Sequence, residues 1–292
     1  MPPGPPDLSI VIPHYEDPER LARCLDALMA QDPGGAEVVV IDNASPRRPP
    51  PPELVAAHPG VRFVTEDRKG AAHARNRGVT ETTAPTILFL DADCVPLPGW
   101  LDAARAARGR APLVGGRIDT FDETPPPRSG AEAFEAVFAF DTRRYVEEEG
   151  FSVTANLMAA RAAFDAVGGF VDGVSEDKDW TQRAVAAGHA LVYEDAMAVR
   201  HPTRADWPAL RKKWRRLTDE AWNLHRAGRA GARARAAWAG RALLMPASIL
   251  AHLPRVLSAP ALAPPERARA ALTLARVRLL RMAWMLAQAV RP

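Results

Sequence analysis

Thr86-Ile87-Leu88-Phe89-Leu90 runs without a break into Asp91-Ala92-Asp93. Five mostly apolar residues predict a buried strand, and the carboxylates begin where the apolar run stops. In open α/β sheets, ligands bind outside the carboxyl ends of the strands. Two carboxylates one residue apart at such an end can hold a divalent cation against an incoming phosphate ester. Asp is also a favoured helix N-cap, so this tripeptide alone leaves metal ligation and capping open.

The flanking sequence repeats the pattern. Leu8 to Pro13 reads as a first strand. Arg20 to Ala30 carries Leu21, Cys24, Leu25 and Leu28 at the spacing of an amphipathic helix. Glu37 to Ile41 reads as a second strand and ends in Asp42, Asn43 and Ser45. After a Pro-rich loop come a short helix, the strand Val61 to Val64, and a helix over Ala71 to Thr80. Leu113 to Ile118 reads as a further strand, and Thr124 to Gly130 as a Pro-rich loop bordering the site. Near-continuously apolar strands alternating with helices predict an α/β fold with a mostly parallel sheet flanked by helices. Polar residues at successive strand ends would then gather along one sheet edge.

Composition narrows the class. The 292 residues are 47% hydrophobic and 25% charged, ordinary for a globular protein. Cys24 and Cys94 are too few for a disulfide framework and lack metal-ligand spacing. The start, Met1-Pro2-Pro3-Gly4-Pro5-Pro6, has no basic region or apolar stretch of a secretory signal, so a cytoplasmic location is expected. The formal charge of +3 conceals an asymmetry. From Arg200 onward there are 19 Lys and Arg against 4 Asp and Glu, a net of +15; the first 199 residues hold 19 against 31, a net of −12.

From about Asp206 the sequence turns to helix formers, arginines and tryptophans, which divides the chain into residues 1–205 and a helical, basic, amphipathic region at 206–292. Ala242 to Leu257 is broken by Pro246, His252, Pro254 and Arg255, and Ala270 to Val290 carries Arg276, Arg278 and Arg281. Neither reads as a membrane-spanning helix. Three readings of the tail remain open. Trp238, Leu243, Leu244, Met245, Trp284, Met285 and Leu286 would insert into an anionic membrane surface while arginines meet lipid phosphates. Alternatively, the apolar faces pack against protein. Nucleic acid is disfavoured, because no binding module is recognisable and the first half is acidic.

The ordered motifs carry a resemblance. Ser9-Ile10-Val11-Ile12-Pro13-His14-Tyr15 is followed by Val40-Ile41-Asp42-Asn43-Ala44-Ser45, then Gly70 and Ala74-Arg75-Asn76-Arg77-Gly78, then Asp91-Ala92-Asp93. Ala155-Asn156-Leu157, Gly168-Gly169-Phe170, Ser175-Glu176-Asp177-Lys178-Asp179 and His201 complete the set. Over about residues 7 to 205 the chain resembles glycosyltransferase family 2, whose members are inverting enzymes with a GT-A, Rossmann-like fold. The resemblance implies a nucleoside-diphosphate sugar donor, a saccharide or lipid-linked acceptor, and a divalent cation, Mn2+ or Mg2+.

It also implies residue roles. Pro13, His14, Tyr15, Asp42 and Asn43 would meet the nucleoside, with Asn43 standing where a second carboxylate is common. Lys69, Arg75 and Ala92 would lie near the donor. Asp91, Asp93 and His201 would form the metal site, with Asp91 on the ribose side, Asp93 ligating the cation directly and His201 adding a further ligand. Asp177 would be the general base, with Glu176 orienting substrate and Asp179 in reserve; acids opening a helix are equally a capping pattern. Asn156 would contact the acceptor; Trp180, next to the acidic cluster, is placed to stack on an acceptor sugar, though core packing is the commoner role of a single Trp.

Other functions fit less well. A sugar-phosphate nucleotidyltransferase needs a Gly-rich, basic loop after the first strand, and Pro13-His14-Tyr15-Glu16-Asp17-Pro18 has no glycine and two acids. A dinucleotide oxidoreductase needs G-x-G-x-x-G there. A non-catalytic partner in a membrane-bound polysaccharide assembly complex would tolerate loss of an acidic cluster, and both are intact. Leu210-Arg211-Lys212-Lys213-Trp214 is similar to a processive-synthase motif but lacks its glutamine, so addition of a single sugar is expected.

Overall fold

The computed structural model describes residues 5–227 and 231–290. Its first stretch alternates strand and helix: β1 (Ser9–His14), α1 (Pro18–Met29), β2 (Glu37–Asp42), α2 (Pro52–Ala57), β3 (Val61–Thr65), α3 (Ala71–Thr80) and β4 (Thr86–Leu90). Then come β5 (Val95–Pro96), α4 (Trp100–Ala107), β6 (Leu113–Phe121), α5 (Gly130–Phe138), α6 (Thr142–Glu147), β7 (Asn156–Ala160), α7 (Arg161–Val167), α8 (Glu176–Ala186) and β8 (Leu191–Pro202). Helices α9 (Trp207–Ala227), α10 (Ala232–Leu243), α11 (Met245–Leu257) and α12 (Pro264–Val290) follow.

The described residues form one eight-stranded sheet in the order β3-β2-β1-β4-β7-β6-β8-β5. The expected parallel arrangement holds through β3, β2, β1 and β4, with His14 opposite Asp42 and Asp42 opposite Thr65. Strand β7 then pairs antiparallel to β4, placing Asn156 opposite Leu90, and β6 pairs antiparallel to β7. That reversal brings one strand running the other way directly beside the acidic end of β4.

The chain divides into two compact units. The first comprises residues 1–119, 141–172 and 176–201; the second comprises 120–140, 173–175 and 202–292. In the first, the apolar residues of the central strands pack against α3, α7 and α8 through Val11, Phe89, Leu157, Phe164, Phe170 and Trp180. Close approach of α3 to the sheet requires Gly78, because a methyl there would overlap the Val11 side chain. Cys24 and Cys94 are buried and free.

In the second unit, α5, α9, α11 and α12 share a core built on Phe134, Leu210, Val256, Leu274 and Val277. Trp238, Met285 and Ala242 form a smaller cluster, and Trp238 donates its indole N–H to Gln288 Oε1 at 3.1 Å. Trp238 and Met285 are therefore buried in this unit and do not project outward as a membrane anchor would require. Leu243 and Leu244 are 66% and 64% exposed. No helix among the described residues is long and apolar enough to cross a membrane.

Candidate active site

The strand ends deliver their polar residues to one edge of the first unit. At the end of β1, His14 is buried and both ring nitrogens are engaged. Its Nε2 accepts from the Asp17 backbone N–H at 3.1 Å. The ring proton therefore sits on Nδ1, which donates to Asp42 Oδ1 at 2.9 Å. Asp42 also accepts from the Ser45 hydroxyl at 2.6 Å and the Ser45 N–H at 3.1 Å. Asn43 donates to the carbonyls of Glu66 and Arg68 at 3.0 and 2.6 Å and accepts from the Gly70 N–H at 2.7 Å. It thus clamps the 66–70 loop that leads into α3, where Gly70 has a φ of +130°. Both atoms of the Asn43 amide are occupied by backbone, so the residue shapes the edge of the site. Pro13 is half-buried, and Tyr15 and Lys69 are exposed beside these residues.

Arg75, on α3, is the junction. It is 5% exposed. One of its terminal nitrogens donates to Asp91 Oδ1 at 2.7 Å and the other to Glu176 Oε1 at 2.8 Å. The two acidic groups expected from the sequence, one ending β4 and one opening α8, are therefore joined through a single guanidinium. Burial opposes its charge, but the carboxylates of Asp91 and then Glu176 more than offset that and hold its pKa above the ordinary arginine value.

Asp93 has a different partner. Its Oδ2 lies 3.3 Å from Nε2 of the buried His201, near the end of β8. Asp91, committed to Arg75, does not complete a triad with this pair. Among the described residues, no group of three or more His, Cys, Asp or Glu side chains is arranged to hold a metal ion. The carboxylate and imidazole of Asp93 and His201 nevertheless suit a cation that takes its remaining ligands from substrate phosphates, as Mg2+ and Mn2+ commonly do. Ala92 between the acids is buried.

The first turn of α8 carries Glu176, Asp177 and Asp179. Asp177 accepts the Lys178 N–H at 2.7 Å. Burial and the neighbouring Glu176 carboxylate raise its pKa to about 6, against the opposing pull of Arg75 and that N–H. Asp179 is paired with Arg183 at 2.8 Å, and Arg183 also donates to the carbonyls of Val167 and Gly169. The reserve carboxylate thus helps fix the Gly168-Gly169 turn.

Two residues named as acceptor contacts lie in the interior. Asn156 is fully buried; it accepts from the Trp100 indole N–H at 2.9 Å and donates to the carbonyls of Arg117 and Met197 at 2.9 and 2.7 Å. Trp180 is equally buried, stacked on Phe164 with centroids 5.4 Å apart, and donates to the Gly168 carbonyl at 2.8 Å. Both side chains are buried, and their polar atoms are taken up within the protein. One contributor escaped the sequence reading: Asn76 exchanges two hydrogen bonds of 2.9 Å with the Phe170 backbone. Its place beside Arg75 in the same motif was the available signal.

Comparison with known proteins gives this geometry a family. A sequence model described as glycosyl transferase family 2 matches residues 9–169. The chain belongs to glycosyl transferase family 2. This family 2 glycosyltransferase is 27% identical over 220 residues to glycosyltransferase AglE of Haloferax volcanii, covering 72% of this chain and 71% of that one. It is 29% identical over 215 residues to the pre-mycofactocin glycosyltransferase of Mycobacterium tuberculosis, covering 70% of this chain and 45% of that one. Among solved structures it is similar to the mannosyltransferase PcManGT from Pyrobaculum calidifontis in complex with GDP-Man and Mn2+. The TM-score is 0.58 over 98% of this chain and 73% of the other, at 18% identity, a likeness of GT-A fold.

Arg75→Met should lower stability by about 3 kcal/mol, because it strands two partly buried carboxylates. Arg75→Lys should recover only part, since one ammonium cannot reproduce the fork. Urea unfolding of both variants measures this; wild-type stability in Arg75→Met would remove Arg75 as the junction.

Proposed function

We propose that this glycosyltransferase moves one sugar from a nucleoside-diphosphate sugar to a hydroxyl of a lipid-linked or saccharide acceptor, with inversion at the anomeric carbon. The observation that carries the reading is the Arg75 bridge. It ties the carboxylate at the donor strand end to the acidic turn of α8, beside a carboxylate whose pKa is raised to about 6.

In this reading the exposed Tyr15 and the β1–β2 edge receive the nucleoside. Asp42 acts chiefly by fixing His14 and Ser45, and Asn43 by fixing the 66–70 loop that carries Lys69 toward the phosphates. Asp91, held by Arg75, faces the ribose. Asp93 and His201 would hold a divalent cation, Mn2+ or Mg2+, which supplies Lewis-acid stabilisation of the departing diphosphate. The mannosyltransferase complex with GDP-Man and Mn2+ supports a nucleotide-sugar donor and such a cation.

Asp177 takes the acceptor hydroxyl proton as the oxygen attacks the anomeric carbon. The new C–O bond forms opposite the bond that breaks, and the electron pair leaves with the nucleoside diphosphate. Glu176 keeps Arg75 oriented, and its charge makes Asp177 a stronger base. Arg75 remains cationic throughout. In inverting transfer the acceptor and leaving group occupy opposite faces of the sugar. That requirement suits two acidic groups held apart, yet in register, by one rigid guanidinium.

The tail supports a second component, contact with an anionic membrane surface. Leu243 and Leu244 at the α10–α11 junction and Leu250, 74% exposed on α11, project from a region of strong positive charge. Leucines of this kind insert while arginines meet lipid phosphates. The catalytic region would then work from the membrane face of the cytoplasm.

Because the base must be ionised, kcat/KM should rise with pH through about 6 and level off above it. Asp177→Asn should abolish that limb and cut transfer by about a thousandfold, while donor affinity in calorimetry stays near wild type. Collapse of donor affinity instead would assign Asp177 to donor binding. Leu243→Glu/Leu244→Glu should reduce co-sedimentation with phosphatidylglycerol vesicles; unchanged sedimentation would dismiss these leucines as the inserting edge.

A further inference from the structure

Helix α12 buries a stripe made of Ala270, Leu274, Val277, Met285 and Gln288. The step from Val277 to Met285 spans two turns, and the helical repeat places Arg281 between them. A guanidinium therefore occupies a slot that the pattern reserves for an apolar side chain. Its Nε is buried without a hydrogen-bond partner, as is the Nε of Arg278 one turn earlier. Beneath Arg281 lies the ring of Trp214 from α9, with the guanidinium carbon 4.9 Å from the ring centroid. The Trp214 indole nitrogen is likewise buried and unpartnered.

Carboxylates of the same helical unit are committed elsewhere. Glu135 holds Lys213 at 2.6 Å, Asp219 holds Arg215 at 3.0 Å, and Glu220 holds Arg216 at 2.9 Å. Glu266 accepts from the Arg128 and Ala263 N–H groups at 2.9 and 3.0 Å. Among the described residues, no carboxylate pairs with Arg278 or Arg281. Burial lowers the pKa of both, and the neighbouring Arg278 charge lowers Arg281 further, to about 10. Unpaired desolvated charge is costly, and like charges on successive turns repel. A bound anion reverses both penalties.

The donor set indicates which anion. Two guanidinium forks and an indole N–H offer donors only, and arginine forks match the spaced oxygens of phosphate esters. We propose that Arg278, Arg281 and the Trp214 indole N–H form a binding site for a phosphate or diphosphate group within the C-terminal helical unit. This site is separate from the residues assigned to the donor and does not depend on that assignment. The group could come from a soluble diphosphate or from a lipid headgroup, and the same chemistry serves either source.

The test is calorimetric titration of inorganic pyrophosphate, with chelator present, into the full chain and its variants. Arg278→Met/Arg281→Met should weaken binding by about tenfold or more. Arg276→Met, which alters an arginine over the Trp207 ring 3.8 Å away, should not. Should the double variant fail to fold, Arg281→Lys keeps the charge, removes the fork, and is expected to weaken binding in the same direction. Co-sedimentation with phosphatidylglycerol and phosphatidylcholine vesicles separates the sources. Because Leu243 and Leu244 also contribute to vesicle binding, the comparison is made in the Leu243→Glu/Leu244→Glu background: a further loss of phosphatidylglycerol binding on Arg278→Met/Arg281→Met assigns the anion to a headgroup, and no further loss assigns it to a soluble diphosphate. Wild-type pyrophosphate affinity in the double variant, or in Arg281→Lys where that variant stands in, overturns the proposal.

Discussion

A single buried guanidinium, Arg75, holds carboxylates that lie 16 and 101 residues away in the chain. A desolvated charge in that position is tolerable only while both partners stay in place, since removing either leaves an uncompensated ion. The pairing therefore fixes where the end of β4 and the first turn of α8 lie relative to α3. It also sets the electrostatics of Asp177, which has Glu176 on one side and the guanidinium beyond it. The braces around it act locally: Asn43 fixes the loop entering α3, Asn76 fixes Phe170, and Arg183 fixes the Gly168-Gly169 turn. Together they make the site edge a set of positioned backbone segments carrying a few uncommitted polar atoms.

Much of this was readable from local pattern. Continuous apolar runs gave β1, β2 and β4, and helical spacing gave α1 and α3 to within two residues at each end. The acidic junction after Leu90 was legible because the change from apolar to charged occurs within one residue. The reversal at β7 was not, because strand direction depends on pairing partners distant in sequence. Nor were the roles of Asn156 and Trp180. A motif shows that a residue type is needed, but whether its polar atoms face a cleft or a core depends on the register of neighbouring strands. Asn156 satisfies three groups from β6, β8 and the start of α4, which no window around it contains.

The basic tail shows the same limit in another form. Its charge count was plain, yet the sequence could not separate arginines paired with acids from those left alone. Arg215 and Arg216 meet carboxylates one turn away on α9. Arg281 occupies an inward position with an aromatic ring and no acid. Trp238 and Met285, apparent anchors by composition, instead complete an internal cluster with Ala242. The outward leucines and the inward arginine are distinct features of one helical unit, each with its own chemistry.

If Asp93 and His201 hold a divalent cation as proposed, they supply only part of its coordination shell, and the substrate diphosphate must supply the rest. Isothermal titration of Mn2+ into the full chain, with and without a panel of nucleoside diphosphates, tests it directly. The cation alone should bind weakly and should bind tightly once a matching nucleoside diphosphate is present, both effects being lost in Asp93→Ala. Equal Mn2+ affinity with and without nucleotide, or tight binding that survives in Asp93→Ala, would contradict it.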